Sequence, residues 1–146
     1  MANMRSAAWL LRGISSVPGE LLLQGRTIRF AATGPGSAWP WQLRKLERLC
    51  GAAGWAERVL AGERAELFAW EVATVRAWVP WHYFGGGMKL GRDALVLRLS
   101  FGRPGNTRTG GVESVGAQLG EVAAMRARGR QWQEALARAG TRAEQA

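Results

Sequence analysis

The chain has 146 residues, a hydrophobic content of 47% and a net charge of +9 at pH 7. This length and composition predict one folded domain, residues 1–146, and exclude disorder over most of the chain. The single cysteine, Cys50, excludes an intramolecular disulfide framework and a multi-cysteine metal site. It also favours a reducing compartment, so we expect a cytoplasmic protein without a cofactor.

The basic charge comes almost entirely from arginine, which supplies 18 of the 20 basic side chains. The guanidinium group is a rigid fork of donors that suits phosphate and carboxylate, which favours an anionic partner. A GC-rich bacterial genome would also produce this composition without selection for binding, and both explanations stay open. Every apolar stretch is too short for a transmembrane segment, and attachment at the membrane periphery also stays open.

A β-hairpin is predicted over residues 18–33. Apolar residues alternate with others on both sides of Gly25, in the strings GELLLQ and RTIRFAA. Gly25 supplies the tight turn between the two strands. A helical insertion follows over residues 39–62, because leucines recur at helical spacing from Trp39 to Cys50. A second short helix is predicted over Trp55–Ala61.

The remaining strands are predicted within residues 65–102. They are Leu67–Trp70, Ala73–Val79, Phe84–Leu90 and Ala94–Phe101, which are rich in aromatic and β-branched residues. The string LVLRLSF alternates most clearly, and Gly91–Asp93 is predicted as the turn before it. Because short turns join these strands, they must pair antiparallel.

A long helix is predicted over residues 120–139. Its apolar stripe recurs at spacings of 3 and 4 along Val122, Met125, Gly129, Trp132, Leu136 and Ala139. One helix with one apolar face must cover the open side of the sheet. We therefore predict an α+β fold: an antiparallel β-barrel or strongly bent sheet with a helical insertion after the first hairpin and a C-terminal capping helix.

Several strings carry a family resemblance over about residues 18–139. They are GELLLQGRTIRFAA, a later strand of Val, Arg and Trp, and a closing helix with Trp132 and Leu136. Together they resemble a bacterial pleckstrin-homology-like, or GRAM-like, barrel domain. The chain is also similar to bacterial proteins in which WPWQLRKLER, PWHYFGGGMKL and SFGRPGNTR occur together. The resemblance implies recruitment of lipids, peptides or proteins, with no catalytic residues to carry over.

The excess charge is unevenly distributed along the chain. Residues 39–71 balance five basic against five acidic side chains, whereas residues 72–111 have a net charge of +5. We therefore expect the charge on strands and loops and expect no basic recognition helix. The candidate ligand-binding residues are the cations Arg76, Lys89, Arg92, Arg103 and Arg108 and the aromatic residues Trp78, Trp81 and Tyr83. These rings either fill the core or stand at a surface beside the cations.

Catalysis has little support in the sequence. His82 is the only histidine, and Cys50 lies on the apolar side of a predicted helix, where it acts as a small hydrophobe. The string FGGGMK lacks the helix and the following Ser or Thr of a phosphate loop. We therefore predict a non-catalytic binding domain for an anionic partner, either a phospholipid headgroup or an acidic protein surface. The alternatives are a nucleic-acid-binding protein that uses a basic aromatic sheet face, and a structural subunit of a larger assembly.

Overall fold

The computed structural model describes residues 3–80, 87–102 and 115–141, with side chains from residue 123 onward in the last range. Seven strands, three α-helices and one short 3-10 turn make up these ranges. In chain order they are β1 (Asn3–Arg12), β2 (Ser15–Gln24), β3 (Thr27–Ala32), α1 (Pro40–Cys50), α2 (Trp55–Leu60), β4 (Ala65–Glu71), the 3-10 turn (Val72–Thr74), β5 (Arg76–Trp78), β6 (Gly87–Arg92), β7 (Leu95–Ser100) and α3 (Val115–Ala139).

All seven strands join one sheet in the order β4-β3-β2-β1-β7-β6-β5, and every neighbouring pair is antiparallel. The predicted antiparallel sheet, helical insertion and C-terminal helix are therefore confirmed. A closed barrel is not formed by the strands that the structure describes, because β4 and β5 are the two ends of the sheet. A 3-10 turn joins β4 to β5 in the chain, but the two strands do not pair with each other.

The connection between β4 and β5 brings the two ends of the sheet close together. Only residues 72–75 separate the strands, so their facing ends lie at most about 17 Å apart. At this gap the guanidinium carbon of Arg92, at the end of β6, lies 5.6 Å from the ring centroid of Trp70 on β4. The sheet must therefore curl, with a concave inner face and a convex outer face.

Strand β1 is the largest element that the sequence analysis did not predict. It pairs with β2 along its whole length and with β7 through Trp9, Leu10 and Leu11. The predicted first hairpin is therefore formed by the second and third strands. The alternation in β1 is weak because its inner positions include the small or polar residues Ser6 and Ala8.

Other boundaries also differ from the predicted ones. The predicted strand Ala73–Val79 is a 3-10 turn followed by the three-residue β5. Strand β6 continues through Gly91 to Arg92, and the backbone turns at Asp93, whose φ is 54°. Helix α3 begins at Val115, before the predicted start.

The inner face of the sheet is covered by helices at both ends. Helices α1 and α2 pack near β4, and their buried residues include Leu43, Leu46 and Trp55. Helix α3 packs on β5 and β6 through the predicted stripe, in which Trp132 and Leu136 are fully buried. Leu43, Leu46, Trp132 and Leu136 are thus confirmed as core, whereas Leu49, on the predicted apolar side of α1, is 44% exposed.

Trp132 fixes α3 to β1 and to Phe101, the residue that follows β7. Its ring stacks on Phe101 with a centroid separation of 6.2 Å and an interplanar angle of 2°. Its indole N–H donates a hydrogen bond of 2.7 Å to Ser6 Oγ on β1. An aromatic pair of this kind contributes about 0.5–1.5 kcal/mol beyond its buried area. The capping helix is therefore held both by packing and by one directed bond.

Removing the acceptor tests this bond. We expect Ser6→Ala to lower the free energy of unfolding by about 1–3 kcal/mol, because it leaves the indole N–H buried without a partner. Urea denaturation should show that Ser6→Ala costs much less in a Trp132→Phe background, where the donor is already gone. Trp41→Phe, at an exposed ring, is the control and should change nothing. Additive effects of Ser6→Ala and Trp132→Phe would contradict the bond.

Candidate functional site

The outer face of the sheet carries charge pairs on β2, β3 and β4. Glu20 accepts a hydrogen bond of 2.7 Å from Arg5 Nε and a second one from Arg64. The bond from Arg5 has the largest effect on Glu20 and, together with the bond from Arg64 and the charges of both arginines, holds its pKa below the usual value, although burial acts in the opposite direction. Arg29 pairs with Glu66 at 3.0 Å. This half of the outer face is therefore largely neutralised.

The other half of the outer face carries cations without such partners. The strand register sets Trp78 of β5, Lys89 of β6 and Arg98 of β7 in one row across the sheet, and Leu11 of β1 continues it. Lys89 and Arg98 are directly opposite each other, an arrangement that destabilises a sheet when both charges are alike. Among the described residues, no carboxylate oxygen lies within 4.0 Å of either cation.

A third cation, Arg76, is held beside this row. Its guanidinium carbon lies 5.8 Å from the ring centroid of Trp78, and its Nη2 donates a 2.7 Å hydrogen bond to the carbonyl oxygen of Asp93. The guanidinium rests on Gly91, where an added Cβ would lie 2.7 Å from Nη2. Glycine at position 91 thus makes room for the arginine. We call Arg76, Trp78, Lys89 and Arg98 the cationic face.

The cationic face contains three of the predicted ligand-binding residues: Arg76, Trp78 and Lys89. Arg98 was not predicted as a ligand-binding residue, although its alternation with the leucines in LVLRLSF indicates an outward position. Arg92 is not part of this face, because its guanidinium lies over Trp70 at the gap between the ends of the sheet. The remaining predicted residues, Trp81, Tyr83, Arg103 and Arg108, lie outside the described ranges, as does His82.

The tryptophans divide between the core and the surface. Trp55, Trp70 and Trp132 are buried, whereas Trp78 is half-buried. Trp39 and Trp41, which flank Pro40 at the start of α1, are 65% and 62% exposed. The described tryptophans therefore include rings that fill the core and rings that stand at the surface.

Cys50 is the free thiol of the described chain. It is half-buried and packs against the hydrophobic core, as the sequence predicts for a small hydrophobe. Burial raises the pKa of its thiol to about 11, so the thiolate is scarce near neutral pH. Together with Trp70 and Arg92 it borders a cleft of about 210 Å³. The environment of Cys50 disfavours a nucleophilic role.

Comparison of the chain with protein-family models, curated proteins and solved structures found no match. Within the described ranges, no group of three or more His, Cys, Asp or Glu side chains could hold a metal ion. None of the described helices combines the length and the apolar character needed to cross a bilayer. The evidence for the candidate site is therefore the strand register and the charges of its own residues.

The reactivity of Cys50 can be measured with a chromogenic disulfide reagent at pH 8. The pKa of the thiol is about 11 in the folded protein against an ordinary value of 9.0, so the folded chain holds roughly 100-fold less thiolate at this pH. We expect labelling to be slower by about this factor than in urea, where the thiol is solvated. Equal rates with and without urea would contradict the assignment of Cys50 to the core.

Proposed function

We propose that this protein is a non-catalytic binding module, recruited to an anionic partner through the cationic face. The partner is a phospholipid headgroup or an acidic protein surface. The observation that carries this proposal is the pairing of Lys89 directly opposite Arg98, with no carboxylate near either among the described residues.

The energetics of the sheet favour an external anion at this place. Two like charges opposite each other on neighbouring strands destabilise a sheet by about 0.2–1 kcal/mol. A bound phosphate or carboxylate would reverse the sign of this contribution. The neutralised half of the same face provides a contrast, because Glu20 and Glu66 already occupy the cations there. Among the strand residues that the structure describes on the outer face, the cations without a carboxylate partner are Arg76, Lys89 and Arg98, on β5, β6 and β7.

The fold adds support to a binding role without deciding it. The strand order and the C-terminal helix are consistent with the pleckstrin-homology-like, GRAM-like domain that the sequence resembles, and we propose that assignment. A fold does not fix a function, so the support for the proposed binding role comes from the cationic face. A reduced, core-packed Cys50 is the reason that we also propose a cytoplasmic location.

A nucleic acid fits the cationic face less well. Binding of single strands combines a basic groove with ring faces on which bases stack. The one ring of this face, Trp78, carries the guanidinium of Arg76 over it. The surface is also the convex side of the sheet rather than a groove. Oligonucleotide binding is therefore the alternative result that the charge-reversal experiment must distinguish from binding of a lipid or an acidic protein.

Charge reversal on the row tests the proposal. We expect the double variant Lys89→Glu with Arg98→Glu to bind phosphatidylglycerol vesicles or polyglutamate at least about tenfold more weakly, because each cation near an anionic surface is worth about 1 kcal/mol. Co-sedimentation measures the vesicles, and fluorescence anisotropy of labelled polyglutamate measures the acidic polymer. Both are run at low salt, where the attraction is least screened.

The matched control is Arg58→Glu with Arg138→Glu, which makes the same change in net charge at two exposed positions away from the row. We expect this control to lose little affinity. An equal loss in both double variants would mean that net charge alone drives binding, and the proposal would then fail. Tighter binding of a single-stranded oligonucleotide, abolished by the row variant, would assign the face to nucleic acid instead.

A further inference from the structure

Helix α1 presents an exposed basic surface, separate from the cationic face, that the charge balance of residues 39–71 does not reveal. One side of the helix is buried against the core through Leu43 and Leu46. The opposite side presents an exposed tryptophan and three exposed cations within an arc of about 100° at 3.6 residues per turn. These residues are Trp41, Arg44, Lys45 and Arg48.

The single acid of α1 does not neutralise these cations. Glu47 Oε1 accepts a 2.8 Å hydrogen bond from the backbone N–H of Ala56, so this carboxylate fixes the start of α2. None of the ion pairs found among the described residues involves α1. The segment of residues 39–71 is neutral as a whole, but α1 itself has an excess of cations, because the balancing acids lie on other elements.

Three large apolar side chains are exposed in two segments of the chain that hydrogen bonds hold together. Ile14, in the turn between β1 and β2, is 91% exposed, and Trp39 and Trp41 are 65% and 62% exposed. Three hydrogen bonds join Ser16 to Ser37: a backbone bond of 3.1 Å, a bond of 2.9 Å from the Ser16 N–H to Ser37 Oγ, and a bond of 3.5 Å from that hydroxyl to the carbonyl oxygen of Ser16. Ile14 and Trp39 each lie two residues from this junction, so each is within about 7 Å of it along the chain.

We propose that these side chains form a membrane-contacting surface that rests on an anionic lipid bilayer. We call it the α1 surface and define it as Ile14, Trp39, Trp41, Arg44, Lys45 and Arg48. The two indoles sit at the depth of the lipid headgroups, Ile14 enters the apolar boundary, and the cations meet lipid phosphates. This surface uses none of the residues of the cationic face, so the two proposals stand on separate observations.

The chemistry of the α1 surface favours a bilayer over the other occupants. A second copy of this chain, docked about a twofold axis, would bring Arg44, Lys45 and Arg48 against themselves, and like charges would repel. A nucleic acid offers phosphates to the cations but no apolar environment to Ile14. A bilayer with anionic headgroups accommodates both the cations and the apolar side chains, because its headgroup layer lies only a few ångströms from its acyl chains.

Vesicle binding of the full-length protein tests the proposal. We expect native protein to bind phosphatidylglycerol-containing vesicles far more tightly than pure phosphatidylcholine vesicles. Trp39→Ala with Trp41→Ala should weaken binding at least about tenfold, because two exposed indoles no longer enter the interface. Arg44→Glu with Lys45→Glu should also weaken vesicle binding, because the loss of each cation lowers the affinity about fivefold.

The matched control is Leu60→Ala with Val96→Ala, which removes apolar groups that are 41% and 40% exposed at other places. It should bind vesicles like native protein. The unfolding midpoint in urea is measured for every variant, and all of these exposed substitutions should leave it unchanged. Brominated lipids add a direct readout: they should quench the fluorescence of native protein and quench the Trp39→Phe, Trp41→Phe variant much less.

The outcomes separate this proposal from the role of the cationic face. If Lys89→Glu with Arg98→Glu abolishes vesicle binding while the Trp39 and Trp41 variant keeps it, the α1 surface is not a membrane contact. The reverse result supports the α1 surface and removes lipid as the partner of the cationic face. Absence of vesicle binding, a concentration-dependent dimer lost in the Trp39 and Trp41 variant, or preferred binding of an oligonucleotide would each overturn the membrane proposal.

Discussion

The short connection between β4 and β5 is the constraint on which the rest of the structure depends. It joins the two ends of a seven-stranded sheet with only residues 72–75, so the sheet must curl until those ends approach each other. A curled sheet of this size has one face that is concave and one that is convex. The concave face can be filled by side chains and covered by helices, whereas the convex face is left to solvent.

The distribution of charge follows from this geometry. The apolar residues of the strands fill the inner face, and Trp132 of α3 reaches across it to Ser6 on β1. Apart from residues at the ends of the sheet such as Arg92, the charged residues of the strands lie on the outer face, where a carboxylate neutralises some of them and not others. Glu20 and Glu66 neutralise one half, whereas in the other half no carboxylate of the described residues pairs with Lys89 or Arg98. The proposed binding function is read from this asymmetry, not from the total charge.

The sequence predicts those features that depend on the direction of side chains within one element. Period-2 and period-3.6 patterns were sufficient for the β2–β3 hairpin, for β7 and for the buried stripe of α3 with Trp132 and Leu136. Strand β1 was missed because its inner positions include Ser6 and Ala8, which give only a weak hydrophobic signal. The sequence left a barrel and a strongly bent sheet open, and the described strands form a sheet that is not closed. Local patterns could not decide between the two, because strand pairing at the ends of a sheet depends on chain geometry that they do not contain.

The candidate site was predicted only in part, for a related physical reason. Adding charges over a segment ignores where each side chain points, so the sum over residues 39–71 concealed the cations on α1. The same limitation missed Arg98, which becomes informative only when the register sets it opposite Lys89. The role of Gly91 was also hidden, because the approach of Arg76 to its backbone depends on pairing between β5 and β6.

Nuclear magnetic resonance with a simple anion tests most directly whether the cationic face is the part of the outer face that binds anions. Titration of isotope-labelled protein with inorganic tripolyphosphate compares the two halves of the outer face in one molecule, under identical net charge. We expect the largest chemical-shift changes at Lys89, Arg98 and the indole N–H of Trp78, with small changes at the paired residues Arg29 and Arg64. Shifts of equal size in both halves would contradict the claim that carboxylate pairing decides where this protein binds an anion.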